Sequence, residues 1–149
     1  MRSSHRPAAS ASPDDVDWLL QRFTGETSGV EHAVLVSSDG VCMATSRGLD
    51  NERAGDLAAI VSGLQGVAEA VGGLFDLGDT EQVLILMARG RLVIRAISDG
   101  SRLAVITTAR ADLKVVAFQM ARVADGVGHA LTPAVRRELL SSATDSANT

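Results

Sequence analysis

Apolar residues recur along this chain in two rhythms: a helical one of three to four residues, and short runs cut by turn signals. Ser12-Pro13-Asp14-Asp15 opens the first helical stretch. Serine can cap free N–H groups, proline suits the first helical position, and acids favour the positive end of the helix dipole. Val16, Leu19, Leu20 and Phe23 follow at helical spacing, and Gly25 and Gly29 are expected to close the helix. Residues 30–37 then read as a strand, Ser38-Asp39-Gly40 as a tight turn, and residues 41–46 as the returning strand.

Residues 51–75 predict one long helix. At roughly 100° per residue, Leu57, Ile60, Val61, Leu64, Val67, Ala68, Val71 and Phe75 share a face, which is expected to meet the core. The opposite face carries Gly55, Ala59, Ser62, Gly63, Gly66, Ala70 and Gly73. Glu69 is the sole ionisable side chain between Leu57 and Phe75. A helix on the surface of a monomer needs a charged outer face, and this one offers small residues that let another backbone come close. Each interior glycine costs about 0.5–1 kcal/mol against alanine, so a compensating contact is expected, most simply a second helix.

Residues 82–88 are apolar on both faces, with Val83 and Ile85 on one and Leu84 and Leu86 on the other, and read as a strand covered on both sides. Arg89-Gly90 is expected to turn into a strand over 91–97, and Asp99-Gly100 into another over 102–108. Links this short make antiparallel neighbours. Asp112 can cap a last helix whose stripe runs through Leu113, Val116, Ala117, Met120, Ala124, Val127 and Leu131, with Thr132-Pro133 as its stop. The order is α-β-β-α-β-β-β-α: an α+β fold with one five-stranded antiparallel sheet and helices on its two faces. Residues 13–131 form the domain. Residues 1–12 and 132–149 read as flexible arms, with at most a short helical turn over 135–140.

Composition narrows what such a domain does. The chain has 149 residues, 46% of them hydrophobic, and a formal net charge of −4, which argues against nucleic acid or anionic lipid as a partner through bulk charge. Aromatics are 3%, leaving few platforms for stacking bases or sugars. A single cysteine, Cys42, excludes an internal disulfide and a multi-cysteine zinc site, and fits an intracellular, cytoplasmic chain. No run of about 18 consecutive apolar residues suggests a membrane span.

Catalytic patterns are missing from the sequence. His5, His32 and His129 stand apart from any nucleophile pattern, and Cys42 has no cationic sequence neighbour. The Asp76-Leu77-Gly78-Asp79-Thr80-Glu81 loop lacks the ligand alternation of a calcium loop, and no phosphate-binding glycine motif occurs. Arg89, Arg91, Arg95 and Arg102 cluster at two hairpins as solvated turn and edge residues. The expectation is a non-enzyme without cofactor or metal.

Three segments in this order carry a resemblance: GVEHAVLVSSDG at 29–40, the Ala/Gly-rich helix, and LAVITTARADL at 103–113. Over roughly residues 15–131 the chain resembles the roadblock/dynein light-chain family, in particular the short actinobacterial members that accompany a small GTPase. The resemblance implies a profilin-like or longin-like sandwich and a homodimer, with central helices side by side and the following strands paired. It implies small GTPases as partners, and a sensor-kinase-like protein as a further one. The gliding-motility relative looks like a GTPase-activating partner that offers no arginine finger.

The expected function is therefore a homodimeric GTPase regulator or scaffold whose interface comprises Gly55, Ala59, Ser62, Gly63, Gly66, Ala70, Gly73, Val83 and Ile85. A small-molecule-sensing module and a light-chain-type scaffold binding a peptide at the sheet edge are the alternatives.

Overall fold

The computed structural model describes residues 11–147. Its elements are α1 (Pro13–Glu26), β1 (Val30–Val36), β2 (Cys42–Thr45), α2 (Asn51–Phe75), β3 (Gln82–Met87), β4 (Gly90–Ala96), β5 (Arg102–Thr108), α3 (Leu113–Ala130) and α4 (Pro133–Ala147). The sheet has five strands in the order β2-β1-β5-β4-β3, antiparallel throughout. The α+β order expected from the pattern holds through α3, and α4 is added to it.

Local chemistry fixes the ends of these elements. Asp15 accepts the Ser12 N–H at 2.8 Å at the start of α1. Asp50 accepts the Arg53 N–H at 2.8 Å and Asp112 accepts the Lys114 N–H at 3.0 Å, so each acid caps its helix. Gly25 does not stop α1, which runs to Glu26 before Gly29 turns the chain at φ +88°. Both hairpin tips close alike: Gly40 N–H bonds the Ser37 carbonyl at 3.0 Å and Gly100 N–H the Ile97 carbonyl at 3.1 Å.

The sheet separates two apolar clusters. On one face Val16, Leu20 and Phe23 of α1 and Val116, Met120 and Val127 of α3 pack on Leu35, Val93 and Val105. On the other, Ala58 and Val61 of α2 pack on Val34, Val36, Leu92 and Ile94.

Four sequence expectations are corrected. The tail over 132–149 is helical for most of its length: α4 packs beside β2 and α1 and buries Val135 and Leu139 in the first cluster. Val135 and Leu139, four apart and joined by the partly buried Leu140, dock a helix whose other positions are small or polar, too faint a stripe to read as a helix of this length. The β3–β4 turn is Ala88-Arg89, with Met87 opposite Gly90, one residue earlier than expected. Gly90 lies inside the ladder because a Cβ there would sit 2.8 Å from the Thr107 carbonyl oxygen. β3 is an end strand rather than one covered on both sides, and Leu84, Leu86 and Met87 are exposed. The face of α2 that meets the sheet is also different, as set out below. The residue 1–12 arm lies outside the described residues except for Ala11, which packs against the core, and the helix-capping Ser12.

Candidate functional site

The surface that stands out is the outer side of α2. Its buried face is Ala54, Ala58, Val61, Gln65 and Gly72, not the large-residue stripe the periodicity favoured. Ile60, Val67, Val71 and Phe75, expected in the core, are exposed; Val61 alone of that stripe is buried, and Leu57, Leu64 and Ala68 are half-buried. Alanines at 54 and 58 let the helix lie close to β1 and β2, where a larger side chain would hold it off. At the far end, a Cβ on Gly72 would come within 2.7 Å of the Gly78 carbonyl oxygen. That crowding belongs to the helix stop, in which Leu77 N–H bonds the Gly72 carbonyl at 2.8 Å and Asp76 turns left-handed at φ 57°.

Turned outward, α2 carries Ile60 at 56%, Val67 at 66% and Leu74 at 76% exposure. Of the small residues expected on the interface, Gly55, Ala59, Gly63, Gly66, Ala70 and Gly73 are exposed as well. A Cβ on Gly55, Gly63, Gly66 or Gly73 would meet nothing within 4 Å, so nothing within the single chain requires glycine there. Ser62 is half-buried against Gly40, where a Cβ would lie 3.1 Å from the serine. Val83 and Ile85 are half-buried at the margin of the α2-side cluster; the open residues of β3 are Leu84, Leu86 and Met87 on and beyond the opposite face. Sequence reasoning therefore missed Ile60, Val67, Val71, Leu74, Leu84 and Leu86. For Ile60, Val67 and Val71 the signal is the large-residue stripe that periodicity assigns to the core, and for Leu84 and Leu86 the apolar run that reads as a covered strand.

By length and composition α2 would also suffice to cross a membrane, a point at which the structure departs from the sequence expectation. Its inner face packs on the sheet, and glycines and large aliphatics share its outer face.

The described titratable groups are spread over several elements. Among the described residues no group of three or more His, Cys, Asp or Glu is placed to hold a metal ion. His129 is exposed at the end of α3, its Nδ1 2.8 Å from the Asp125 carbonyl. His32 is in β1 with a buried, unpartnered Nδ1. The Cys42 thiol reaches the Ala44 carbonyl at 3.6 Å, and burial raises its pKa, which favours the thiol over the thiolate. Two hairpin arginines are tied to their own backbone. Arg91 donates to the carbonyls of Met87, Gly90 and Ala109, and Arg102 to those of Gly100 and Ser101 and to Glu69 at 3.2 Å. That last pair ties Glu69, the sole charge between Leu57 and Phe75, to the sheet, although its side chain stays 54% exposed.

Comparison with known proteins places this arrangement. The family profile described as the Roadblock/LC7 domain matches residues 16–107. The crystal structure of a Roadblock/LC7 domain from Streptomyces avermitilis is similar at 32% identity and a TM-score of 0.71, over 74% of this chain and 92% of that one. Myxococcus xanthus MglB shares the fold at 16% identity and a TM-score of 0.72, over 78% of this chain and 86% of that one. Profilin IA from Acanthamoeba castellanii does so at 15% identity and a TM-score of 0.51, over 75% of this chain and 95% of that one. No curated protein sequence matches the chain significantly.

Proposed function

Because the chain belongs to the Roadblock/LC7 domain family, we propose that it is a homodimeric, non-enzymatic regulator or scaffold for a small Ras-like GTPase, working in the cytoplasm of a bacterium. The observation that carries the dimer is the outer face of α2. A helix of 25 residues that exposes Ile60, Val67, Val71 and Leu74 leaves in water the apolar area that obligate interfaces cover. Gly63, Gly66 and Ala70 beside them allow a second helix to approach closely. β3 is an end strand that carries the half-buried Val83 and Ile85 on the same side of the sheet as α2, and its free edge is on that margin.

The GTPase half of the proposal rests on family membership. A regulator of this kind acts by fitting its partner rather than by supplying a reacting group. Whether it activates, exchanges or tethers is a property of the complex.

Light scattering at micromolar concentration tests the dimer; a monomeric mass removes its physical support. Pull-down of a candidate Ras-like GTPase, loaded with a GTP analogue, loaded with GDP or stripped of nucleotide, tests the partner. Binding that depends on the nucleotide is the expected result. Equal capture in all three states favours a light-chain-type scaffold instead.

A further inference from the structure

The opposite edge of the sheet offers a second surface. β2 is the other end strand, bonded to β1 on one side only. Along its open edge runs a groove of about 780 Å³, walled by the first turns of α2 and by α4. Val41, Cys42 and Ala44 line its floor, Glu52 and Asp56 one wall, and Ser142 the other.

Three observations give this groove a direction. An end strand presents a row of backbone N–H and C=O groups without ladder partners, and proteins usually blunt such an edge with charge or proline. Cys42, Met43, Ala44 and Thr45 supply neither; the edge is recessed between two helices instead. A strand edge beside a helix is a geometry that accepts an extended peptide as an added strand, backbone bonds giving affinity and the helix wall giving selectivity. At the upstream end Val41 is bonded to Ser37 through both its N–H and its carbonyl, and at the downstream end Gln21 Nε2 donates to the Thr45 carbonyl at 3.2 Å, so the open length spans residues 42–44.

The second observation is charge. The lining contains two carboxylates and no cationic side chain. Glu52 has a local reason to be where it is, since acids are favoured in the first turn of a helix. Asp56 lies beyond that turn, and among the described residues neither carboxylate has an ion-pair partner. The third is position: the groove lies at the sheet edge away from β3, so a partner there does not compete with one on β3.

We propose that this groove receives an extended basic segment of a partner protein. It adds to β2 as a sixth strand and sets Arg or Lys side chains against Glu52 and Asp56. The groove takes its floor from β2 and borders the outer face of α2 at Gly55, which it shares with the expected dimer interface.

Titration of the isotopically labelled full chain with an alternating Arg/Val hexapeptide tests this. Amide shifts are expected at residues 41–45, 51–56 and 142–143. A Glu/Val hexapeptide should not bind, and an Arg/Val hexapeptide N-methylated on alternate backbone nitrogens should bind about tenfold more weakly or worse, because strand pairing needs those N–H groups. The double variant Glu52→Gln, Asp56→Asn should lose about tenfold in affinity with an unchanged circular dichroism spectrum. Equal binding of the N-methylated peptide, unchanged affinity of the double variant, or shifts confined to another surface would each overturn the proposal. Deleting residues 1–10, which carry Arg2, His5 and Arg6, should leave affinity unchanged. A gain of about tenfold or more would assign the groove to this chain's own leading segment and overturn the partner.

Discussion

Arg136 of α4 reaches Asp99 in the β4–β5 turn, with Nη2 2.6 Å from Oδ2. The pair ties the C-terminal helix to the tip of a hairpin 37 residues away in sequence. Burial alone would raise the Asp99 pKa. Hydrogen bonds from the Ser101 N–H and hydroxyl, together with Arg136, outweigh it and hold the carboxyl below its ordinary value.

This gives a pH dependence with a definite sign. A depressed folded-state pKa contributes stability that is complete above the unfolded value, about 3.9, and fades as pH falls through the folded value. Asp99→Asn should therefore lower Tm at pH 7 and leave a smaller difference from wild type near pH 3. Thermal unfolding of both proteins at the two pH values checks it; equal differences would remove Asp99 from the acid response.

Val135 and Leu139 are the residues by which α4 is held in the core. Leu139→Ala should cost about 2–3 kcal/mol, the lower part of the range for emptying a buried leucine site, because Leu139 lies at the margin of the core. Urea unfolding measures this. A loss under 0.5 kcal/mol, roughly a surface effect, would mean that α4 is not docked in solution.

Two glycines of α2 should respond to alanine with opposite signs. Gly72→Ala drives a Cβ to 2.7 Å from the Gly78 carbonyl oxygen, so the helix stop must move and stability must fall. Gly63→Ala meets open space within the chain, and the monomer fold should gain roughly 0.5–1 kcal/mol of helix propensity. If a second helix lies against Gly63, the same change should raise the dimer dissociation constant while the fold of each subunit is kept. Unfolding measured over a range of protein concentrations separates the two effects.

Val67 is exposed in the single chain, so Val67→Glu should preserve the fold. On the proposed interface it buries a charge without a partner and should weaken dimerisation about tenfold or more. Sedimentation at several concentrations reads the outcome; an unchanged dimer would move the interface off this face of α2.

Much of the fold was legible in local chemistry. The caps at Ser12, Asp50 and Asp112 and the glycine turns at Gly40 and Gly100 depend on a few neighbouring residues, so their positions survive in the sequence. The β3–β4 turn slipped by one residue because Gly90 is needed for its nearness to the Thr107 carbonyl on β5, a contact no local rule contains. The candidate surface was half legible. Absence of charge on residues 57–75, apart from Glu69, marked α2 as something other than a solvent-facing helix.

By itself, then, the sequence determined the order of helices and strands, the turns, and a central helix with no wet face. Tertiary structure decided which side of that helix is core, which strands are edges, and that residues 133–147 form a docked helix. The physical reason is that hydrophobicity has no direction. Ala58 against the sheet and Val67 facing outward are both apolar, and periodicity cannot say which of them meets this chain and which is left for another. Strand order distributes burial across the sheet: it makes β3 and β2 the ends and leaves open the β3 edge beside α2 and the groove at Cys42. Those are the surfaces through which the protein is proposed to act.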